Sequence, residues 1–265
     1  MKKIRAVWHS DTNYGDALTP YIIGKIYGKR PKRAEPFDAD PTHMVTGSIL
    51  GDYISNSIIW GPGIMYGFNP VLPSKYPKPT SNFRLAAVRG PISFAKCVEA
   101  GYTPECYGDP ALILPRIYNP KRIIKHKIGL IPSWVECIDI MKSYATADVH
   151  VIDVTRSIEE VIDNILSCEV TLASALHGLI TSVAYGVPTR WVEFSDRIVG
   201  DGVKYRDFLG SIKLDYETTD LRHRMSVAKL SKLPFEHKLD IDLDKFWDVC
   251  PFRRTQTSSS EAEAL

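Results

Sequence analysis

Short β-prone apolar runs alternate with helix-forming stretches along this chain, in two blocks separated by a basic, proline-containing segment. Strands that alternate with helices pair in parallel and are covered on both faces, so the pattern predicts α/β layers rather than a helical bundle or a β-sandwich. In the first block the β-prone runs lie at residues 4–8, 44–50, 57–60 and 85–88. Helices are expected at 18–27, where Thr19-Pro20 suits a helix start, and at 92–100, ended by Gly101. Residues 116–127 read as the linker. The second block runs strand 127–131, helix 136–144, strand 149–154, helix 158–166 behind a Ser157-x-x-Glu160 capping box, strand 170–173, helix 179–185 and strand 190–194. Irregular loops and two or three helices follow Phe194, and the Ser/Glu/Ala-rich residues 255–265 read as a disordered tail. The expected division is a Rossmann-like lobe at 1–120 and a second one, with terminal helices, at 121–254.

Hydrophobic residues make up 44% of the 265, enough for a core in each lobe. With 33 basic against 31 acidic residues the formal charge is only +2, so no global field favours nucleic acid or an anionic membrane, and an anionic ligand must be held locally. The five cysteines (Cys97, Cys106, Cys137, Cys168, Cys250) are odd in number and widely spaced, as expected of reduced thiols in a cytoplasmic protein. The basic start Met1-Lys2-Lys3 runs into Trp8-His9-Ser10-Asp11 where a signal peptide would need an apolar stretch, and no apolar segment is long enough to span a bilayer. No cluster of His, Cys, Asp and Glu has metal-ligand spacing.

Four segments stand where strands end and helices begin: Asn13-Tyr14-Gly15-Asp16, Val88-Arg89-Gly90-Pro91, Gly108-Asp109-Pro110-Ala111 and Ser174-Ala175-Leu176-His177-Gly178. Ligands of parallel sheets bind beyond such carboxyl ends. In this order, with Ala184-Tyr185-Gly186-Val187-Pro188 after the histidine, the segments resemble the polysaccharide pyruvyltransferase family, over residues 13–208. The resemblance implies two lobes like those of the B-type glycosyltransferases, with the active site in the cleft. It also implies phosphoenolpyruvate as donor, no further cofactor, and as acceptor a sugar diol of a surface polysaccharide or of its lipid-linked precursor at the inner face of the membrane.

Phosphoenolpyruvate carries a carboxylate and a phosphate, so it calls for cations and aligned N–H groups. Arg89, expected to face the cleft at a strand end, can bridge two oxygens of an anion, and related enzymes use an arginine in a matching position; the alternative is an arginine that ties a loop to a carboxylate. His177, between Leu176 and Gly178 at the start of a helix, is expected to bind phosphate or to serve as the acid, with Ser174 beside it. Several relatives carry arginine two residues before this histidine where this chain has Ala175, which moves the second phosphate cation elsewhere. Lys204 is the candidate, on a glycine-containing stretch at 197–208 read as a mobile loop over the cleft. On the acceptor side, Asn13 and Asp16 occupy the first loop, where a carboxylate can deprotonate a sugar hydroxyl, although Asp16 suits a helix N-cap equally well. Gly61-Pro62-Gly63 is expected to line the acceptor side, and Asp109 before Pro110 reads as a structural turn residue.

Two other functions fit the same lobes. A nucleotide-sugar glycosyltransferase would need an acidic ribose contact, for which Glu193 is the candidate, and a non-catalytic carbohydrate-binding protein is hinted at only by Ala175.

Overall fold

The computed structural model describes residues 4–34, 41–51, 56–68, 80–144 and 146–253, so the tail expected at 255–265 lies outside the described residues. The apolar runs become strands buried on both faces: in His126–Ile131 the last four residues are all inaccessible, as a parallel sheet covered by helices requires. The first half comprises β1 (Arg5–Val7), α1 (Tyr14–Tyr27), β2 (Lys32–Arg33), β3 (Thr42–Met44), β4 (Ser57–Trp60), β5 (Arg84–Val88), α2 (Pro91–Glu99) and β6 (Cys106–Tyr107). A 3₁₀ turn at Pro110–Ile113 then leads into α3 (Leu114–Ile117). The strands lie in the order β2-β1-β3-β4-β5-β6, and every described pairing is parallel.

The second half contains β7 (His126–Ile131), α4 (Cys137–Tyr144), β8 (Val149–Val151), α5 (Ile158–Leu166), β9 (Cys168–Ala173), α6 (Leu176–Ala184), β10 (Thr189–Glu193), α7 (Val203–Ser211) and β11 (Thr219–Asp220). These strands form a second parallel sheet, ordered β11-β10-β9-β7-β8. The capping box of α5 forms as the sequence predicts, with Ser157 and Glu160 satisfying each other's backbone N–H groups. Two helices follow, α8 (Val227–Leu230) and α9 (Leu243–Asp248), and α9 returns to the first half. There Phe246 stacks on Trp60 at 4.9 Å and its carbonyl accepts the indole N–H.

Three local expectations change. Helix α1 starts at Tyr14, not at Leu18, and its N-cap is Asn13, whose Oδ1 accepts the Gly15 N–H at 3.1 Å. Asp16 therefore sits in the first turn and is not the cap, and Pro20 lies inside the helix. The strand expected at 44–50 ends at Met44, because Gly47 adopts φ +103° and Thr46 turns to donate its hydroxyl to the Gly15 carbonyl. The stretch expected as a mobile loop at 197–208 is irregular only to Gly202, after which it is α7.

The halves share one hydrophobic core, running from Leu18, Ile22 and Ile23 of α1 through Leu179 and Ile180 of α6 to Phe208 of α7. A fully buried ion pair fastens them. Arg89 Nε, just beyond β5, lies 3.1 Å from Asp207 Oδ2 of α7. Asp207 also accepts the backbone N–H and the hydroxyl of Ser93 in the first turn of α2, at 2.9 and 2.6 Å. A Cβ on Gly90 would come within 1.8 Å of the Asp207 carbonyl oxygen, so the helices meet this closely only with glycine there. Removing one partner of such a pair leaves a bare buried charge. Arg89→Ala is accordingly expected to lose about 3–5 kcal/mol of unfolding free energy in urea titration; a loss of less than about 1 kcal/mol would show that the pair does not fasten α7.

Candidate active site

Strand ends of both sheets and the starts of α1 and α6 converge on a cavity of about 240 Å³ between the two sheets. Its second-half wall comes from the turn after β7 (Ser133, Trp134), the β9–α6 turn (Ser174 to Gly178) and the segment Arg197 to Val199 with Lys204 and Tyr205. The first half contributes Asn13 to Asp16, Gly47, Ser48 and Met65. The α1 start reaches the second sheet because the Tyr14 N–H donates to the Val154 carbonyl at 3.0 Å and the Tyr14 phenol hydrogen-bonds Thr181 of α6 at 2.9 Å.

His177 occupies the second position of α6, whose cap residue, Ala175, offers no side-chain bond, so the first N–H groups of the helix point toward the cavity. The imidazole is 9% exposed. Its Nε2 lies 3.6 Å from Oδ2 of Asp109, within ion-pair reach, and both atoms are buried without a hydrogen bond. The second Asp109 oxygen accepts the Ala111 N–H at 2.9 Å and caps the 3₁₀ turn. Asp109 thus holds the turn that its sequence predicts, and it also backs the histidine. Gly15 allows the ring this position: a Cβ there would stand 2.3 Å from Nδ1 of His177. Gly178 packs against Ile131, which a Cβ would meet at 2.4 Å, so its smallness lets α6 sit close on β7.

Asp16 faces the same cavity, and burial raises its carboxyl above the usual range, opposed in part by His177 and His9. Lys204 is shifted the opposite way. Burial, with a smaller effect of the Arg89 charge, brings its ammonium down to about 8, and it donates to the Val199 carbonyl at 2.8 Å. Lys204 and Arg197 are the lysine and arginine on this wall among the described residues. Arg197 is shared with exposed Asp139, at 2.7 Å.

Arg89 is the expected site residue that does not reach the wall. Its guanidinium is fully buried and donates to Asp207, to Ser48 Oγ at 2.9 Å and to the Ile64 carbonyl at 2.8 Å, so it fixes Ser48 from behind. Gly61-Pro62-Gly63, expected on the acceptor side, is not among the described residues lining the cavity either. Gly63 lies under that guanidinium, whose Cζ a Cβ would meet at 2.3 Å, and the Pro62 carbonyl accepts the Arg89 N–H. Two further groups escape sequence reading. Glu136, fully buried, accepts the hydroxyls of Ser174 and Ser195 and so ties the ends of β9 and β10, and Tyr205 donates to the Ser174 carbonyl. In the sequence Glu136 reads as an ordinary first-turn residue of the helix expected at 136–144, which does not signal a buried carboxylate.

Fold and site define an α/β protein with a cavity at the carboxyl ends of parallel strands, between two sheets. The chain belongs to the polysaccharide pyruvyl transferase family, whose profile matches residues 13–196, and is a pyruvyltransferase of that family. An uncharacterised protein of Acanthamoeba polyphaga mimivirus is 23% identical, over 88% of this chain and 83% of its own. A solved structure of a functionally uncharacterised protein from Klebsiella pneumoniae shares 12% identity with a TM-score of 0.47, covering 82% of this chain and 92% of that one. Among the described residues no helix is long and apolar enough to cross a membrane, and no three His, Cys, Asp or Glu side chains cluster to hold a metal.

The lowered Lys204 value gives a test of the cation side. Protonated lysine binds an anion and neutral lysine does not, so sulfate, which does not titrate near neutrality, should lose affinity as the pH rises through about 8. Above it, binding should weaken by up to about tenfold per pH unit. Calorimetry on Lys204→Arg should lose the break and stay flat; an unbroken profile in the wild-type protein would remove Lys204 from the anion site.

Proposed function

We propose that this protein transfers pyruvate from phosphoenolpyruvate to two neighbouring hydroxyls of a sugar, forming a cyclic ketal and releasing phosphate. The observation that carries the reading is the convergence, on one cavity, of a half-buried lysine, a helix-start histidine backed by a carboxylate, and a second carboxylate of raised basicity. The lobes are read as those of a B-type glycosyltransferase arrangement, with the donor on the second-half side. Because phosphoenolpyruvate is made inside cells, the reaction is assigned to the cytoplasm, its acceptor free or lipid-linked at the inner membrane face.

The chemistry needs an acid, a base and an anion site. A proton added to the methylene carbon makes a methyl group and leaves the phosphate-bearing carbon electron-poor. One hydroxyl oxygen bonds to that carbon and gives up its proton. The carbon–oxygen bond to phosphate then breaks with its electron pair going to phosphate, and the second hydroxyl closes the ring, losing its own proton. Of the two hydroxyl protons, one replaces that used at the methylene and the other leaves on phosphate. His177 stands where it can give the first proton or hold the phosphate, on a helix start whose N–H groups favour negative charge. Lys204 neutralises the anion. Asp16, with its raised carboxyl, accepts a hydroxyl proton. Arg89 acts indirectly, by placing Ser48 and by lowering the Lys204 ammonium. Ser174 and Leu176 shape the turn that presents the histidine, and Asn13 holds the α1 start beside Asp16. Glu193, the candidate ribose contact of a glycosyltransferase, instead lies 3.8 Å from Arg222 and is not among the described residues lining the cavity.

His177→Ala is expected to lower kcat/KM by at least tenfold, about 1.4 kcal/mol, in a phosphate-release assay. Asp16→Asn should leave phosphoenolpyruvate binding within about threefold while slowing transfer by an order of magnitude or more. Donor affinity lost in the aspartate variant would show that this carboxylate serves the donor instead. Uridine nucleotide binding without phosphate release from phosphoenolpyruvate would replace the whole reading by glycosyl transfer.

The mechanism invokes no metal, because the cationic side chain and the helix start supply the positive charge. Exhaustive chelation is therefore expected to leave phosphate release unchanged. Activity lost to chelator and restored by magnesium would contradict it.

A further inference from the structure

A second chamber, of about 360 Å³, opens off the first and shares Asn13, Asp16, Ser48 and Met65 with it. That volume falls within the ~300–1,000 Å³ of small-molecule pockets. The chemistry of its walls differs from that of the first. Among the described residues that line it there is no lysine and no arginine. Its groups are the Asn13 amide, the Ser48 hydroxyl, the Asp16 carboxylate, His9 and the Tyr66 phenol, set against apolar Ile49 and Ile64. Arg89 reaches the wall only from behind, through Ser48, and Arg33 acts on Asp16 only as a minor charge. A wall whose own charged side chain is a carboxylate favours a neutral ligand over a phosphate or a second carboxylate, while amides, hydroxyls and carboxylates together donate to and accept from a polyol. Ile49 and Ile64 are nearly inaccessible and belong to the first-half core, so the apolar floor is rigid.

The exit from this chamber is aromatic. Tyr66 packs on Phe68 with ring centroids 5.1 Å apart and planes at 30°, and Phe68 is 78% exposed, the most open of the large apolar side chains described. The two rings follow one another from the chamber wall outward. Their segment is anchored across the cavity, since the Gly67 N–H donates to Asp201 at 2.8 Å and the Met65 carbonyl lies against Gly200. An exposed aromatic ladder held in place offers flat apolar faces to the C–H faces of sugar rings, while hydroxyls at the ring edges remain in water.

We propose that the second chamber is the acceptor subsite, taking one neutral pyranose unit that turns its hydroxyl pair toward Asp16, with the next sugar of the chain lying on Tyr66 and Phe68. The assignment rests on the pyruvyl-transfer reading for its purpose but on the chamber's own walls for its ligand class. It explains why Asp16 stands at the junction: the wall shared by the two chambers is where an acceptor hydroxyl meets the donor carbon.

The test uses the full-length protein, saturation-transfer NMR with methyl glucopyranoside, galactopyranoside and mannopyranoside and with cellobiose, lactose and mannobiose, and calorimetry with phosphoenolpyruvate. At least one methyl glycoside should bind, and its disaccharide should bind about threefold or more tighter. Ile49→Trp, which crowds the chamber floor and is first shown to be folded by its urea unfolding curve, should abolish sugar binding, and Tyr66→Ala, at a position whose loss does not open the core, should erase the disaccharide gain. Both should leave phosphoenolpyruvate affinity within about twofold. Sugar binding indifferent to both variants, or no pyranoside bound by the wild-type protein while phosphoenolpyruvate binds, overturns the subsite alone. Sugars held as expected with no affinity for phosphoenolpyruvate would overturn the donor reading and leave the subsite standing.

Discussion

In the Arg89–Asp207 pair both side chains have lost contact with water, and stripping two such ions of hydration costs several kcal/mol each. The geometry offsets that cost only because the surrounding bonds are numerous. The guanidinium donates to a carboxylate, a hydroxyl and a carbonyl, and the carboxylate receives Arg89, the Ser93 hydroxyl and the Ser93 N–H. That last bond puts negative charge at the positive end of α2, so one aspartate caps a helix of the first half while belonging to a helix of the second. The segment bearing Lys204 and Tyr205 is thereby fixed relative to β5, and Ser48 is fixed with it.

The same logic of one element satisfying another's polar groups brings α1 to the second sheet. Its first N–H finds a carbonyl after β8 and its tyrosine finds a threonine in α6, so the loop carrying Asn13 and Asp16 cannot drift from the histidine. Gly15 then removes the side chain that would have pushed the ring away. Behind the imidazole, Asp109 stands within ion-pair reach with an oxygen that has no hydrogen bond, an incompletely paired buried group.

Burial shifts Asp16 and Lys204, which face the cavity, in opposite directions, and for one reason. A low-dielectric wall disfavours charge of either sign, so it raises the Asp16 carboxyl and brings the Lys204 ammonium down to about 8. Both move toward the range in which a proton is exchanged near neutral pH.

How far the residues themselves decide the outcome varies with the range of the interaction. Periodicity and local bonds alone determined the parallel α/β layers, the capping box of α5 and the strand-end placing of the four motifs, because each depends on neighbours a few residues apart. The family was legible for the same reason, since its motifs are contiguous. Local signals failed where a distant partner outbid them: Pro20 suggested a helix start, but the Asn13 cap and the Val154 carbonyl begin α1 a turn earlier. Tertiary structure alone decided that Arg89 turns inward to Asp207, 118 residues away, that Asp109 backs His177, and that Glu136 joins two strand ends. A buried charge takes whichever partner the packed chain brings to it, and that partner is chosen by the meeting of two sheets rather than by any sequence of neighbours.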